Sequence, residues 1–350
     1  MTAAGSRETA TAATVTARIV HALHQAAEVS GADLARTLGM SRAAVWKHIE
    51  HLRALGYDIE ARQARGYRLA AVPDRLLPGE IQRRLRATRF GAEIAYRTEI
   101  ASTNEEAARL ARAGAPEGTL VVAECQTAGR GRLGRQWVSP PNANLYASFI
   151  LRPPIPPGAA PQISLVAAIA VSRALAAVGA ADVAIKWPND CLLGGRKVAG
   201  ILTEMDAEVD RVRAVVLGIG VNLNMTIEAF PAELRETATS LLLATGAQID
   251  RVGFAARLCD DLEEVYDRFV EAGFEALVAE WEARSCLTGR EVTVDCSGRH
   301  ITGIVRGLDP DGRLVLDGPQ GEERIVAGDV SVVDGYAAAR DSPAPDDGTR

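Results

Sequence analysis

The sequence predicts an α+β chain of several domains: a helical module ending in a hairpin, a central mixed-sheet α/β domain and a small β-barrel. Three observations carry this. Helical spacing of apolar residues gives way to a short β-hairpin before residue 72. The central residues mix β-rich runs with helices without strict alternation, which favours a mixed sheet over a doubly wound parallel one. The last block repeats short strands between Gly and Asp-Pro turns. A length of 350 residues suits roughly two or three domains.

In chain order, residues 1–13 and 337–350 are small and polar and read as flexible tails. Over 14–72, Val15, Ile19, Val20 and Leu23 recur at helical spacing, and Leu34 and Leu38 share one face of a second helix. Gly39-Met40 makes a turn, and Ser41 is a good N-cap for a third helix carrying Val45, Ile49 and Leu52 inward. The segments at Tyr57-Asp58-Ile59 and Tyr67-Arg68-Leu69 flank a polar tip. Helix, helix, turn, helix and wing is the order of a winged helix-turn-helix. Pro73 and Pro78 punctuate the link to the second domain, 79–285. There 120–123, 145–151, 183–187, 198–205 and 212–221 are strand candidates, and 163–178 and 252–270 helix candidates. Over 286–336, strands are expected at 291–295, 301–308, 313–316, 323–326 and 330–333.

Composition narrows the function. Hydrophobic residues at 47% and charged residues at 24% are ordinary globular values, which excludes a wholly disordered or collagen-like chain. The net charge of −6 excludes a globally basic nucleic-acid binder but not a locally basic module. No stretch approaches the ~18 unbroken apolar residues of a membrane span, and the amino terminus lacks a hydrophobic signal region. The five Cys contain no C-x-x-C and read as reduced thiols of a cytoplasmic protein.

The locally basic module is the first domain. Within 31–70, Arg36, Arg42, Lys47, Arg53, Arg62, Arg65 and Arg68 outnumber Asp33, Glu50, Asp58 and Glu60. Arg42, Lys47 and His48 fall on or near the exposed side of the third helix, within reach of bases or phosphates. Arg62, Arg65 and Arg68 lie on the wing, suited to flanking phosphates. The alternative is a module for protein contacts. His21 with His24 and His48 with His51 stand at i, i+3 and could bind a metal, as in a metal-sensing repressor. No Cys and no ordered set of carboxylates accompanies them, so exposed helix residues are the favoured reading.

Chemistry concentrates in two stretches of the second domain. Gln126 to Trp137 reads QTAGRGRLGRQW after a strand. Gly129, Gly131 and Gly134 satisfy G-x-G-x-x-G, yet Trp137 to Pro141 cannot open a helix. No acid occurs from 125 to 181 to hold a ribose, so a nicotinamide enzyme is a poor reading. The glycines free the backbone N–H groups, and Arg130, Arg132 and Arg135 add permanent charge with bidentate donors. Unpaired by any local acid, the loop is expected to close on an anion, a phosphate or carboxylate of a ligand. The second stretch, Lys186-Trp187-Pro188-Asn189-Asp190, is followed by a Gly194-Gly195 turn and Arg196-Lys197. It reads as a hairpin crowding Lys186, Asp190, Arg196 and Lys197 round one turn, where lysine neutralises phosphate and aspartate holds Mg²⁺.

Together with Ser102-Thr103-Asn104, RKVAGIL (196–202), GIGVN (218–222), LGMSRAAVWKHI (38–49) and ARGYRL (64–69), these residues resemble the biotin protein ligase family in its bifunctional form, the biotin operon repressors. The resemblance spans the chain except its tails. It implies a catalytic domain like that of class II synthetases and an SH3-like carboxyl-terminal barrel. It implies ATP and biotin as substrates, Mg²⁺, a carboxyl carrier domain as acceptor, operator DNA, and a homodimer when adenylate is bound. A ligand-sensing repressor without ligase activity, a lipoate ligase or octanoyl transferase, and a ligase with a non-regulatory winged helix are the alternatives.

The resemblance assigns Arg132, Lys197 and Asp190 to catalysis. Ser102, Thr103, Asn104, Gln126, Arg130, Gly131, Trp137 and Gly200, with Arg132 and Lys197, go to biotin or its adenylate, Trp137 covering the pocket. Gly129, Gly134, Arg135, Lys186, Asn189 and Asn222 go to the nucleotide, and Asp190 to Mg²⁺. Val333 stands where the family often has an Arg reaching the ATP phosphates. No Trp follows Asn222 before Trp281, which leaves Phe230 as the candidate aromatic over adenine. The chemistry agrees with these roles. A carboxylate attacking the α-phosphorus needs no base but does need charge neutralisation between two anions. The neutral donors and acceptors of Ser102, Thr103, Asn104 and Gln126 suit a ureido ring.

Overall fold

The computed structural model describes residues 15–62, 65–208, 211–296 and 298–333, in two compact units that divide at Arg84/Leu85. The expected tails, 1–13 and 337–350, lie outside the described residues.

In the first unit a helix over 15–25 (α1) is followed by α2 (Gly31–Leu38) and α3 (Arg42–Ala54). The Ser30 hydroxyl caps α2 by accepting from Ala32 N, Gly39 ends that helix at φ 66°, and the Ser41 hydroxyl accepts from Ala44 N to start α3. Ile19, Val20, Leu23, Leu34, Val45, Ile49 and Leu52 are buried between the three helices. Strands β1 (Asp58–Arg62) and β2 (Gly66–Ala71) pair antiparallel as the wing. Val29 and Tyr67 exchange two backbone hydrogen bonds of 2.8 Å, tying the α1–α2 connection to the wing. Gly66 is required there: at φ 105°, its Cβ would stand 2.2 Å from Val29 O.

Pro73 and Pro78, expected to mark the link, belong to this first unit. Pro78 opens α4 (Pro78–Gln82) at the position where its missing N–H costs nothing. The α4 residue Glu80 is fully buried, with His24 Nε2 at 2.9 Å and Arg83 Nη2 at 3.3 Å. Tyr57 donates its hydroxyl to the same carboxylate at 3.0 Å. Burial works to raise the Glu80 pKa, but the partners outweigh it and hold the carboxyl below its ordinary value.

The second unit is built on a seven-stranded mixed sheet in the order β3-β4-β5-β9-β8-β7-β6. Its strands are β3 (Ile94–Arg97), β4 (Leu120–Ala123), β5 (Leu145–Leu151), β6 (Val183–Lys186), β7 (Asp190–Leu193), β8 (Arg196–Ala207) and β9 (Val212–Val221). Only β3 and β4 run parallel; the other pairs are antiparallel. Every residue of β5 is buried, as in an interior strand covered on both faces, and its buried Ser148 hydroxyl is directed at the site. Helix α5 (Thr103–Arg112) crosses one face and buries Ala107 against Val121, Ile150 and Val216. Helices α6 (Gln162–Ala177) and α8 (Arg251–Ala272) pack with α9 (Glu275–Glu282), and the short α7 (Leu241–Thr245) follows the β9 loop. By length and composition 157–177 passes for a membrane span, but α6 is buried nearly all round, as a core helix is.

The carboxyl-terminal residues form a five-stranded antiparallel sheet, ordered β13-β12-β11-β10-β14. Its strands are β10 (Glu291–Cys296), β11 (Arg299–Leu308), β12 (Leu314–Gly318), β13 (Gly321–Ile325) and β14 (Asp329–Val332). Buried Val292, Val294, Val305, Leu314, Leu316, Ile325 and Val330 make its core.

Glu80→Ala leaves the buried Tyr57 hydroxyl and the half-buried His24 without their acceptor. It is expected to destabilise the first unit by about 2 kcal/mol or more in urea unfolding. Because the folded state lowers this pKa, wild type holds the contribution at neutral pH and loses it as pH falls below the ordinary carboxylate range. The gap between wild type and variant should narrow there.

Candidate active site

The site begins with three glycines. Pairing of β8 with β9 sets Gly200 opposite Gly220 and Leu202 opposite Gly218, and alternation puts all four on one face. A Cβ on Gly218 would lie 2.2 Å from Asn104 Oδ1, one on Gly220 2.5 Å from Trp137 Cε2, and one on Gly200 2.9 Å from Trp137 Cζ3. Bare backbone is therefore the floor on which an amide and an indole rest.

The start of α5 overhangs that floor with Ser102, Thr103 and Asn104 buried. Ser102 holds the N-cap position, but its hydroxyl makes no capping bond. Gln126 does the capping: its Oε1 accepts from Thr103 N at 2.9 Å and from Thr103 Oγ1 at 3.1 Å, while its Nε2 donates to Ser139 Oγ at 3.0 Å. Asn104 Oδ1 accepts from Ser148 Oγ at 2.6 Å, and Asn104 Nδ2 donates to Glu204 Oε2 at 2.7 Å.

The arginine–glycine loop closes across its own base. Trp137 N donates to Gly129 O at 2.9 Å and Gly131 N to Arg135 O at 2.7 Å. Leu133 and Gly134 turn it with φ of 56° and 74°. No acid local in sequence pairs its arginines; their acid or carbonyl partners are brought in from distant elements. Arg130 Nη2 lies 3.1 Å from Glu204 on β8 and Arg130 Nη1 3.8 Å from Glu105 on α5. Arg135 pairs with Asp329 of β14. Among the described residues Arg132 has no carboxylate partner: it donates to Asn189 Oδ1 at 3.0 Å and Gly328 O at 3.4 Å. Burial lowers its pKa, against the pull of Asp329 and Asp190. A half-buried cation held by neutral oxygens is a receptor for an anion.

The second stretch forms the facing wall. Trp187-Pro188 is a cis peptide, and buried Trp187 donates Nε1 to Gly312 O at 3.2 Å, seating the turn. Asn189 Nδ2 donates to Ile201 O at 2.8 Å. Lys197 Nζ lies 2.7 Å from Asp190 Oδ1 and 5.5 Å from the centre of the Trp137 ring.

These parts enclose two spaces. A cavity of about 50 Å³ is lined by Ser102, Thr103, Asn104, Gln126, Arg130, Trp137 and the floor glycines. A cleft of about 700 Å³ is lined by Arg135, Lys186, Asp190, Arg196, Asn222, Met225, Phe230 and Ala238. Gly131, Arg132, Trp137, Asn189 and Lys197 line both. The small cavity takes only a few waters, since the Trp137 indole lies on its floor and does not merely cover its mouth. The indole Nε1 is buried and has no partner among the described residues. Gly129 and Gly134, expected beside the nucleotide, do not line the cleft and instead shape the loop. Asn222 lines it with its amide committed to Thr239 O at 3.0 Å. Phe230 is buried with Met225 and Ala238 at the edge of the cleft. Val333 is exposed, and the carboxyl-terminal sheet reaches the site through Gly328 and Asp329.

Glu204, Ser148 and Asp329 are the residues that sequence reading misses. Glu204 alone carries a signal, standing at i+4 from Gly200 on the same strand face.

In the first unit, Arg42, Trp46 and Lys47 are exposed on α3, Trp46 at 54%. His48 does not join them: it is half-buried, its Nδ1 3.0 Å from Thr16 Oγ1 on α1. On the wing, Arg68 is clamped by both oxygens of Glu60 at 2.9 and 3.0 Å, and Arg65 is exposed 3.8 Å from Glu28. Hydrogen bonds from Arg68 and Arg62 hold the Glu60 pKa down at about 2. No group of three metal-ligating side chains occurs among the described residues.

Comparisons agree along the chain. Residues 95–222 match the biotin/lipoate A/B protein ligase family, 16–68 an HTH domain, and 287–333 the biotin protein ligase C-terminal domain. The chain is 41% identical to the bifunctional ligase/repressor BirA of Bacillus subtilis (strain 168), over 87% of this chain and 94% of that protein. It is 36% identical to the protein of the same name from Escherichia coli (strain K12), over 82% and 88%. A solved biotin protein ligase from Aquifex aeolicus, in complex with biotin and ATP, superposes with a TM-score of 0.61 at 31% identity, over 69% of this chain and 98% of that one.

Gly220→Ala is expected to push the Trp137 indole off the floor, changing tryptophan emission while costing about 1–3 kcal/mol of stability. An unchanged emission spectrum would contradict the packing described.

Proposed function

The chain belongs to the bifunctional biotin protein ligase and repressor family, and from that premise we propose how its residues divide the work. It is a biotin–[acetyl-CoA-carboxylase] ligase. It activates biotin with ATP to biotinyl-5′-AMP, then transfers the biotinyl group to a lysine of a biotin carboxyl carrier domain. The observation that carries the site assignment is the meeting of the small cavity and the large cleft at Arg132, Asn189 and Lys197.

Biotin's rings take the glycine-floored cavity once the indole withdraws, with Ser102, Thr103, Asn104 and Gln126 around the ureido group. ATP takes the cleft, its adenine beside Phe230 and its phosphates towards Arg132, Lys186 and Lys197. A carboxylate oxygen of biotin attacks the α-phosphorus and the bond to the β-phosphate oxygen breaks, so pyrophosphate leaves and no proton moves. Arg132 and Lys197 screen the two anions from each other. In the second step a neutral lysine amine attacks the acyl carbon, AMP leaves, and the amine's proton passes to solvent. A loop closed over the mixed anhydride keeps water from it. Mg²⁺ usually takes one or two carboxylates plus substrate phosphates. Asp190, with a carboxylate at the cleft, fits that demand and would hold it. When bound, the ion supplies further neutralisation of phosphate charge.

We read the central domain as resembling class II synthetases and the last five strands as an SH3-like barrel. The protein works in the cytoplasm and also acts as a biotin-responsive repressor of biotin synthesis genes. Arg42, Lys47 and Arg65 meet operator DNA, while Arg68 braces the wing against Glu60. Adenylate binding orders the arginine loop and favours a homodimer, which binds two half-sites of a palindrome.

Purified protein should catalyse biotin-dependent ATP–pyrophosphate exchange and ignore lipoate. Arg132→Ala is expected to lower kcat/KM by about 100-fold or more. Exchange that is absent, or equal with lipoate, would overturn the reading. For the repressor role, gel shifts should show operator binding strengthened by biotin plus ATP. Lys47→Ala should weaken it about tenfold and make the salt dependence shallower. Binding indifferent to biotin and ATP would leave the winged helix without a regulatory role.

A further inference from the structure

We infer that Glu204 is a positioning residue that couples the ring end of the biotin cavity to the arginine loop, an inference that rests on the ligase reading above. Glu204 stands on β8 two residues beyond Leu202 and four beyond Gly200, on the strand face that forms the cavity floor. One of its oxygens, Oε2, accepts from Asn104 Nδ2 at 2.7 Å and from Arg130 Nη2 at 3.1 Å. Asn104 is buried in the small cavity. With a carboxylate at its Nδ2 and the Ser148 hydroxyl 2.6 Å from its Oδ1, its amide has one satisfied orientation: a flip would set Oδ1 against the carboxylate. Arg130 is two residues before Arg132, which lines both cavity and cleft. The same oxygen thus orients a group that faces the ring and holds down the loop that screens the reacting anions. Glu105 adds a second, looser contact to Arg130 at 3.8 Å.

The Glu204–Arg130 pair is partly exposed, and such pairs contribute little to folding. Its influence is therefore expected on ligand retention rather than stability. Two substitutions separate its parts. Glu204→Gln keeps an oxygen acceptor for Asn104 and removes the charge from Arg130. Glu204→Ala removes both.

The test measures steady-state exchange and the rate at which preformed biotinyl-adenylate leaves the protein. Glu204→Gln is expected to release adenylate about fivefold faster with the KM for biotin within about twofold of wild type. Glu204→Ala should also raise the KM for biotin about tenfold, leaving that for ATP within about twofold. Arg130→Ala should match the faster release, and the double variant Glu204→Gln/Arg130→Ala should be no worse than Arg130→Ala alone. Wild-type adenylate release in both Glu204 variants, equal rises in the two KM values, or additive effects in the double variant would overturn the coupling. Should Glu204→Ala fail to fold, the isosteric Gln variant and its cycle with Arg130 decide alone. A wild type without biotin-dependent exchange would sink the ligase reading itself, and this inference with it.

Discussion

A sheet face without side chains is the constraint on which the site depends. Where β8 and β9 pair, Gly200, Gly218 and Gly220 leave bare backbone at the centre of a domain whose other interior strands are packed with Val, Ile and Leu. An added methyl at Gly218 would strike the Asn104 amide and one at Gly220 the Trp137 indole. Only because this patch is empty can α5 bring buried polar groups down to the sheet and the arginine loop lay an aromatic ring on it. Glycine in a strand costs stability, and here that cost makes a cavity where packing would otherwise leave none.

Charge is the second organising element. The loop's three arginines are supplied by one short stretch, but their partners come from α5, β8, the Asn189 turn and the carboxyl-terminal sheet. The outer two, Arg130 and Arg135, meet carboxylates and tie the loop down at both ends. The middle one, Arg132, meets only neutral oxygens among the described residues and loses hydration. This distribution leaves one cation underused, at the junction of cavity and cleft, where two anions must be brought together. The carboxyl-terminal sheet therefore takes part through Gly328 and Asp329, although its last strand ends in Val333 rather than a basic residue.

Much of this was legible in the sequence. The Ser41 helix cap, the Gly39 turn and the wing follow from local chemistry, and the long strands β5, β8 and β9 from their largely apolar runs. Four-residue β3 and the alanine-rich α5 were not legible, because a short segment held by tertiary packing carries little periodic signal. Ser102, Thr103 and Asn104 read only as neutral donors and acceptors, with no sign that they occupy the N-cap position and first turn of α5. The loop's acid partners were invisible for a different reason. Glu204 and Asp329 lie 74 and 194 residues from the arginines they meet, and only the tertiary fold brings them together. His48, expected on or near the exposed side of α3, is half-buried, because the Thr16 hydroxyl on α1 offers it a partner that the sequence does not reveal.

The central claim is that Arg132 and its loop close on the combined charge of biotin and ATP over the glycine floor. Hydrogen–deuterium exchange across residues 128–137 tests it most directly, with biotin alone, ATP alone and both together. The account predicts strong protection of the Gly129 to Gln136 amides only when both ligands are present and adenylate can form. Protection that is unchanged by the pair, or already complete with either ligand alone, would contradict it.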